Sequence, residues 1–157
     1  MRALTFLSAL LLGLAPLAAS AQHPDEEAVL ATVVRLFDGM RAADSSAVRT
    51  AFHPIATLYS VGADRSGAPV VRASPVDRFI EAIGTPHEEV WEERLGEAEV
   101  RLDGDLATVW VPYAFYLGDA FSHCGTNAFH LARTDGLWRI IHITDTRRTD
   151  TCDPSIE

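Results

Sequence analysis

Two stretches decide the fold: residues 103–110, Asp-Gly-Asp-Leu-Ala-Thr-Val-Trp, and residues 135–140, Asp-Gly-Leu-Trp-Arg-Ile. Each Asp-Gly pair lies between apolar runs and is a strong two-residue hairpin signal, because glycine tolerates the positive φ of such turns. A third turn, of three residues, is predicted at 118–120. The turns divide this half of the chain into four long strands, at about residues 88–102, 106–117, 123–133 and 137–146. Since hairpins join consecutive strands, the predicted sheet is antiparallel.

Three helices are predicted before these strands. Pro24 and the three acidic residues behind it open the first helix, because proline fits the first turn and carboxylates favour the positive end of the helix dipole. Asp44 or Ser45 caps the second helix, and residues 74–77 resemble a capping motif that opens the third. The helices are expected at 24–41, 44–52 and 74–84, with short strands at 55–61 and 70–72. This order predicts an α+β domain with three N-terminal helices packed on one face of a curved, mostly antiparallel sheet.

The N-terminal segment has the pattern of a secretory signal peptide. Met1-Arg2 gives a positive start, residues 3–18 are almost continuously apolar, and Ala19-Ser20-Ala21 fits a signal peptidase site. The apolar run is too short to span a membrane comfortably. We therefore expect cleavage after Ala21, export to the periplasm or the medium, and a single domain over residues 22–157.

Composition excludes several function classes. The formal net charge is −9, and all 13 basic residues are arginine. A chain without lysine has no amine for Schiff-base chemistry or for a Walker-type phosphate loop. Its acidity disfavours nucleic acid, and no membrane association is expected after cleavage. The chain also lacks a Gly-x-Ser-x-Gly elbow, a dinucleotide-binding glycine motif and a His-Glu-x-x-His metal motif, so we expect no cofactor and no metal.

The two cysteines are expected to pair. In an oxidising compartment, two cysteines are more typical of a disulfide than of a thiol catalyst or a zinc site. The hairpin register places Cys124 opposite Arg147, only five residues before Cys152. A disulfide between Cys124 and Cys152 would therefore pin the C-terminal tail to the sheet.

Turn lengths also assign side chains to the two faces of the sheet. On the face that packs on the helices, the predicted pairs are Arg133–Trp138, Leu131–Ile140, Phe129–His142, Asn127–Thr144, Phe115–His123, Tyr113–Gly125, Val111–Asn127 and Val100–Ala107. The parity of residues 88–102 stays open. An unbroken strand points Glu92 and Arg94 inward, whereas a bulge at Gly96 would point Trp91, Glu93 and Leu95 inward instead.

The order of elements is similar to that of the nuclear transport factor 2-like superfamily, in its SnoaL-like and "putative lumazine-binding" branches. The motifs that carry the resemblance are Ala51-Phe52-His53-Pro54, residues 103–110, His123-Cys124-Gly125 and Gly136-Leu137-Trp138-Arg139-Ile140. The resemblance covers nearly all of residues 22–157 and implies a cone-shaped domain with a cavity between sheet and helices. In ketosteroid isomerase, scytalone dehydratase and limonene epoxide hydrolase relatives this cavity is an active site, while other members only bind or dimerise. The fold does not choose among these functions.

His142 and Tyr113 are the predicted catalytic candidates of such a cavity. A neutral imidazole at His142 could act as a general base or hydrogen-bond a carbonyl. The alternative for His142 is a half-buried histidine with a satisfied hydrogen bond. Asp145 is rejected as its partner, because residues three apart on a strand lie on opposite faces. The predicted ligand-binding residues are His53, Tyr59, Trp91, Tyr113, Phe115, His123, Asn127, Phe129 and His142.

Three function classes follow from these predictions. The first is an exported cavity protein that binds a small, partly apolar molecule. The second is a lyase, isomerase or hydrolase that uses His142, and the third is a dimerising accessory domain. The outer face of the sheet carries Trp110 and Tyr116, and aromatic residues on a face without helices favour a homodimer interface there. The sequence leaves open whether any reaction is catalysed.

Overall fold

The computed structural model describes residues 24–150, 152 and 156, so the predicted signal peptide lies outside the described residues. The three helices and seven strands are α1 (Pro24–Arg41), α2 (Ser45–Ala51), β1 (Phe52–Ala63), β2 (Pro69–Ser74), α3 (Val76–Gly84), β3 (Trp91–Leu95), β4 (Glu99–Asp103), β5 (Leu106–Leu117), β6 (Ala120–Thr134) and β7 (Leu137–Thr146). The predicted α+β architecture is confirmed. In the described part of the chain, no helix combines the length and the apolar character needed to cross a membrane.

All seven strands form one mixed sheet. Its order is β2-β1-β7-β6-β5-β3, and β4 pairs with β5 beyond the end of β3. The pairing of β1 with β7 is parallel, whereas the other pairings are antiparallel. The three helices cover one face of this sheet, and side chains from both layers form the main core. The fully buried residues Val33 and Leu36 of α1 belong to the same cluster as Leu131 and Ile140 of the sheet.

Helix starts differ in how they are capped. At α2, the Oδ1 atom of Asp44 accepts hydrogen bonds from the backbone N–H groups of Ser46 and Ala47, each at 3.0 Å. Asp44 is therefore the N-cap, because its carboxylate pairs with two N–H groups that a helix leaves free at its first turn. At α3, Pro75 occupies the N-cap, and no side-chain hydrogen bond caps this helix among the described residues. The capping motif predicted at residues 74–77 is thus wrong, although the helix itself is present.

The predicted long strand at 88–102 is two strands. Residues 96–98 separate β3 from β4, and the N–H of Gly96 donates to the carbonyl of Pro112 at 2.8 Å. The break reverses side-chain parity, so Glu93 lies opposite Phe115 and Leu95 opposite Tyr113. The bulged alternative for this segment is the correct one. Beyond the break, Val100 pairs with Val109 rather than Ala107, a two-residue shift that leaves it on the expected face.

The hairpin between β5 and β6 has the predicted register, although its turn differs from the predicted one. Phe115 pairs with His123 and Tyr113 with Gly125, as expected. The turn itself has two residues, because Leu117 pairs with Ala120, and Ser122 is the extra residue of a bulge. A shorter turn and a bulge together give the parity that a three-residue turn would give.

The hairpin between β6 and β7 follows the predicted register only near its turn. Leu131 pairs with Ile140 as predicted, but His130 pairs with His142, so Ile141 is the extra residue of a bulge. Because a one-residue slip moves every later side chain to the other face, the predicted pairs Phe129–His142 and Asn127–Thr144 are wrong. Phe129 lies opposite Ile143, and Asn127 lies opposite Asp145. Asp145 therefore points toward the helices and His142 away from them.

The predicted disulfide is present. Cys124 and Cys152 are bonded, with their Cα atoms 5.8 Å apart. Cys124 exchanges two backbone hydrogen bonds with Arg148, one residue beyond the predicted Arg147, each at 2.9 Å. The tail also brings Ile156 onto the outer face of the sheet, where it forms a small cluster with Ala114, Tyr116 and Cys124. Part of the predicted outer interface is therefore covered by this chain's own tail.

Candidate functional site

A cavity of about 320 Å³ lies between the helices and the concave face of the sheet. Its lining divides into two sets. The apolar set is Met40, Phe79, Ala82, Trp91, Phe115 and Leu117, and the polar set is Glu93, Tyr113, His123, Asp145 and Arg147. A volume of this size suits a small organic molecule.

Aromatic rings form most of one wall. Trp91 stacks on His87 with ring centroids 3.8 Å apart, and its edge meets Phe115 at 6.3 Å. The rings of Phe115 and His123 are 5.0 Å apart. Such packing fixes the orientation of the rings and presents flat apolar surface to the cavity.

Asp145 is the most unusual polar group of the cavity. Only 5% of the residue is exposed. Its Oδ2 atom accepts from Arg147 Nε at 2.7 Å. The single proton of the Tyr113 hydroxyl is shared between the carbonyl of Thr146, at 2.9 Å, and this Oδ2 atom, at 3.3 Å. The other oxygen, Oδ1, is buried, and none of the described residues provides it with a hydrogen bond. An unpaired buried oxygen is costly, typically by about 1–3 kcal/mol, so its presence calls for a physical explanation.

Glu93 provides the second carboxyl group of the cavity. Its Oε1 atom accepts from Asn127 Nδ2 at 2.6 Å. Burial raises the pKa of this carboxyl, the hydrogen bond from Asn127 opposes the rise, and the negative charge of Asp145 adds to it, so that the resulting pKa is about 8. At neutral pH Glu93 therefore holds its proton, and the cavity contains one uncharged and one charged carboxyl group.

Two further polar groups stay uncharged at neutral pH. Burial raises the pKa of the Tyr113 hydroxyl, and the nearby carboxyl groups of Asp145 and Glu93 add to the rise. Burial lowers the pKa of His123, and the charge of Arg147 lowers it further. Tyr113 and His123 can consequently act as neutral hydrogen-bonding groups rather than as ions.

Gly125 makes room for this arrangement. It lies opposite Tyr113 on the neighbouring strand, and a Cβ atom at this position would overlap the carbonyl oxygen of Thr146 and lie 2.7 Å from Cε1 of the Tyr113 ring. The absence of a side chain lets the Tyr113 ring cross β6 and reach the end of β7. Glycine is thus required here for close approach rather than for a turn.

A comparison with known protein families shows to which family the chain belongs. The model of the family described as "Putative lumazine-binding" matches residues 24–144. The chain belongs to that family. No curated protein matches the sequence.

Solved structures give the same fold for this lumazine-binding family member. A nuclear transport factor 2-like protein from Shewanella baltica is 18% identical, with 80% of this chain and 95% of that chain covered and a TM-score of 0.60. One from Novosphingobium aromaticivorans, described with a cystatin-like fold, is 15% identical, with 84% and 86% covered and a TM-score of 0.64. The β subunit of a "putative aromatic-ring-hydroxylating dioxygenase" from the same organism is 12% identical, with 80% and 90% covered and a TM-score of 0.65. At these identities the likeness concerns the fold alone, and the fold is nuclear transport factor 2-like.

Several of the predicted site residues meet at the cavity of this family member. Trp91, Tyr113, Phe115 and His123 line it directly. Asn127 is 5% exposed and reaches the cavity through its hydrogen bond to Glu93. Phe129 lies deeper, in the main core, where its ring meets the edge of Phe37 at 6.1 Å.

His142 is not among the residues of the cavity, and its predicted inward placement is wrong. The bulge at Ile141 puts it on the outer face, where Nδ1 hydrogen-bonds Thr57 Oγ1 and Nε2 hydrogen-bonds Thr144 Oγ1, both at 2.7 Å. Partial burial lowers the pKa of His142, and the neighbouring His130 lowers it further. His142 is thus a neutral histidine with both ring nitrogens hydrogen-bonded.

Tyr59 and His53 also lie away from the cavity. Tyr59 pairs with Thr144, and its ring is 5.5 Å from that of His142, which places it on the outer face as well. The prediction that Tyr59 lines the cavity is wrong, because β1 packs its other face, with Ala56 and Leu58, against the core. His53 lies in a separate groove beside α3, and its Nδ1 atom accepts from the N–H of Ile55 at 3.3 Å.

The site predicted from the sequence does not include the two carboxyl groups of the cavity, Glu93 and Asp145. Glu93 appears there only in the bulged alternative for residues 88–102, and Asp145 appears only as a rejected partner of His142. Both depend on bulges, one at 96–98 and one at Ile141. The second bulge has a sequence signal, because the adjacent residues Ile140 and Ile141 interrupt the alternation that Trp138 and Ile140 begin.

Proposed function

We propose that this protein is an exported small-molecule-binding protein whose ligand occupies the cavity between the helices and the sheet. The observation that carries the proposal is the pairing of an apolar, aromatic wall with a buried carboxylate oxygen of Asp145 that no described donor reaches. Binding pockets typically combine such a wall with a few polar groups that orient the ligand. Membership of the lumazine-binding family supports ligand binding as the function of the domain.

The shape of the cavity supports a small, partly apolar ligand. The aromatic side chains Trp91, Phe115 and Phe79 would contact its body, while Glu93, Asp145 and His123 would contact its polar end. Burial of the apolar body would provide most of the affinity, and the polar end would fix the orientation.

Export is supported by two independent features. The first 21 residues have the pattern of a signal peptide, with a cleavage site after Ala21. The disulfide between Cys124 and Cys152 suggests an oxidising environment such as the periplasm or the medium. The mature protein would then be a single domain over residues 22–157.

We also propose a homodimer through the uncovered part of the outer sheet face. Trp110 is 54% exposed there and lines an open depression with Arg101 and His130. Ala114 and Tyr116 are buried under the tail, so the proposed contact centres on Trp110 rather than on the whole row of outward residues. An exposed tryptophan on a sheet face is a common anchor of a protein interface.

A thermal-shift screen with small aromatic compounds tests the proposed function. Ala82→Phe would fill the cavity from α3, whereas His142→Ala changes the outer face and is the control. Compounds that bind the cavity should raise the Tm of the wild type and of His142→Ala but not that of Ala82→Phe. Compounds that stabilise all three proteins equally would place the binding site elsewhere and overturn the proposal.

A further inference from the structure

The cavity is lined by more acidic groups than basic ones. Two carboxyl groups, Glu93 and Asp145, face one permanent cation, Arg147, among the described lining residues. The remaining polar groups that face Glu93 are Tyr113 on β5 and Asn127 and His123 on β6, which are all uncharged at neutral pH. With both carboxyl groups ionised, this end of the cavity would therefore hold one unpaired negative charge.

The helix side of Glu93 does not supply the missing positive charge. Glu93 also lines a smaller opening of about 100 Å³ between α1 and β3, together with Asp38, Arg41 and Glu92. Arg41 is already held by two carboxylates, Asp38 at 2.6 Å and Glu92 at 3.5 Å. Its charge is thus compensated, and the opening connects Glu93 with solvent without neutralising it.

From this arrangement we infer that the ligand is an organic cation, a small aromatic or apolar body with one protonated nitrogen, which binds between Glu93 and Asp145 and replaces the proton of Glu93. The inference rests on the proposed function, since it names the class of ligand for the same cavity. A protonated amine has several N–H donors, so a single nitrogen at this position would donate to both carboxyl groups, which line the same cavity.

The proton balance of this binding step is defined. A ligand that arrives as an ammonium ion keeps its proton, the carboxylic acid of Glu93 loses one, and that proton leaves to solvent. Because the pKa of Glu93 is about 8 before binding, nearly one proton per bound ligand is released at neutral pH.

Two further features favour a cation. Trp91, Phe115 and Tyr113 present aromatic rings to the cavity, and aromatic faces attract cations electrostatically. The formal net charge of −9 gives the whole protein a negative potential, which raises the local concentration of cations around it.

Three compounds of nearly equal shape test the inference: 2-phenylethylamine as the cation, 2-phenylethanol as the neutral analogue and phenylacetate as the anion. Isothermal titration calorimetry at neutral pH, in two buffers with different ionisation enthalpies, gives affinity and proton release together. We expect the amine to bind wild-type protein about tenfold or more tightly than the alcohol, the anion to bind weakest, and about one proton to be released per amine bound.

The variant Glu93→Gln tests whether Glu93 causes the preference for the amine and the proton release. Its matched control is Glu92→Gln, one residue earlier on β3. Glu93→Gln should lose about tenfold in affinity for the amine and all proton release, while its affinity for the alcohol stays unchanged. Glu92→Gln should behave as wild type. If the alcohol binds wild-type protein as tightly as the amine, the inference is overturned and the proposed cavity function stands. If none of the three compounds binds, the inference is overturned and the proposed function loses its support as well.

Discussion

His142 and Asp145 lie three residues apart on β7 and face opposite sides of the sheet, in opposite chemical situations. On the outer face, both ring nitrogens of His142 are hydrogen-bonded to threonine hydroxyls. On the inner face, Asp145 is 5% exposed and keeps one buried oxygen without a donor from the described residues. A satisfied polar group on a partly exposed surface needs only a structural explanation. A buried polar group without a partner calls for an explanation, and the proposed ligand would provide one.

The largest expected effect comes from closing the space beside Tyr113. Gly125→Ala would place a methyl group against the carbonyl oxygen of Thr146 and the Tyr113 ring, so we expect a loss of about 3 kcal/mol or more in the free energy of unfolding. Urea unfolding of Gly62→Ala is the control. In that variant the new methyl group would meet, among the described residues, the Arg72 side chain alone, at 3.5 Å, and stability should change little. Equal losses of unfolding free energy in the two variants would show that the close approach of Tyr113 to Gly125 does not cause the destabilisation.

The second effect is a pH dependence that belongs to the inner face alone. Because the pKa of Glu93 is about 8 in the folded protein and lower when unfolded, the folded state holds one more proton between these values. Stability from this group is therefore complete at acidic pH and falls as pH rises toward 8, by at most about 1.4 kcal/mol per pH unit.

Urea unfolding across this pH range measures the Glu93 contribution. Glu93→Gln should remove most of the decline, whereas Glu92→Gln should preserve it. A decline that persists unchanged in Glu93→Gln would assign the titration to another group and contradict the raised pKa of Glu93.

A smaller effect is expected from the outer face. His142→Ala removes two hydrogen bonds from a partly exposed side chain, so the free energy of unfolding should fall by about 1–2 kcal/mol. Affinity for any cavity ligand should not change, because the imidazole lies on the other side of the sheet. Calorimetric titration of the variant measures this directly. A tenfold loss of affinity with unchanged stability would reverse the roles that we assign to the two faces.

The smallest effect on folding is expected at Trp110, where the proposed consequence is assembly rather than stability. Trp110→Glu places a charge at the centre of the proposed contact, and burial of an unpaired charge there should prevent dimer formation. Light scattering at tens of micromolar should show a dimer for the wild type and a monomer for the variant, with similar Tm values. A monomeric wild type would contradict the proposed homodimer.

The sequence predicts the elements of this fold better than it predicts the faces of their strands. The Asp-Gly turns, the first helix and the disulfide follow from local chemistry, and each is present. Which face a residue occupies depends on parity, and one extra residue reverses parity for the rest of a strand. Because of the bulge at Ile141, Asp145 rather than His142 lies on the inner face of the sheet. The break at 96–98 selects the alternative in which Glu93 rather than Glu92 points inward.

Three of the four predicted residues that line the cavity have a physical feature in common. Tyr113, Phe115 and His123 lie within a few residues of a hairpin turn on strands whose bulge restores the predicted register. Glu93, by contrast, lies beyond the break at 96–98, where tertiary packing contributes, since Ile156 occupies the space above Gly96. Local sequence patterns carry little information about such contacts.

The central claim is that the inner face holds an uncharged carboxyl group at Glu93 beside the charged Asp145, as a site prepared for a ligand. The most direct test is a pH titration of the Glu93 carboxyl carbon by ¹³C NMR, with the resonance assigned from its loss in Glu93→Gln. We predict a midpoint near pH 8 in the free protein. On addition of 2-phenylethylamine at neutral pH, the resonance should move to the ionised position. A midpoint in the ordinary range of glutamate, at about 4.3, would contradict the account.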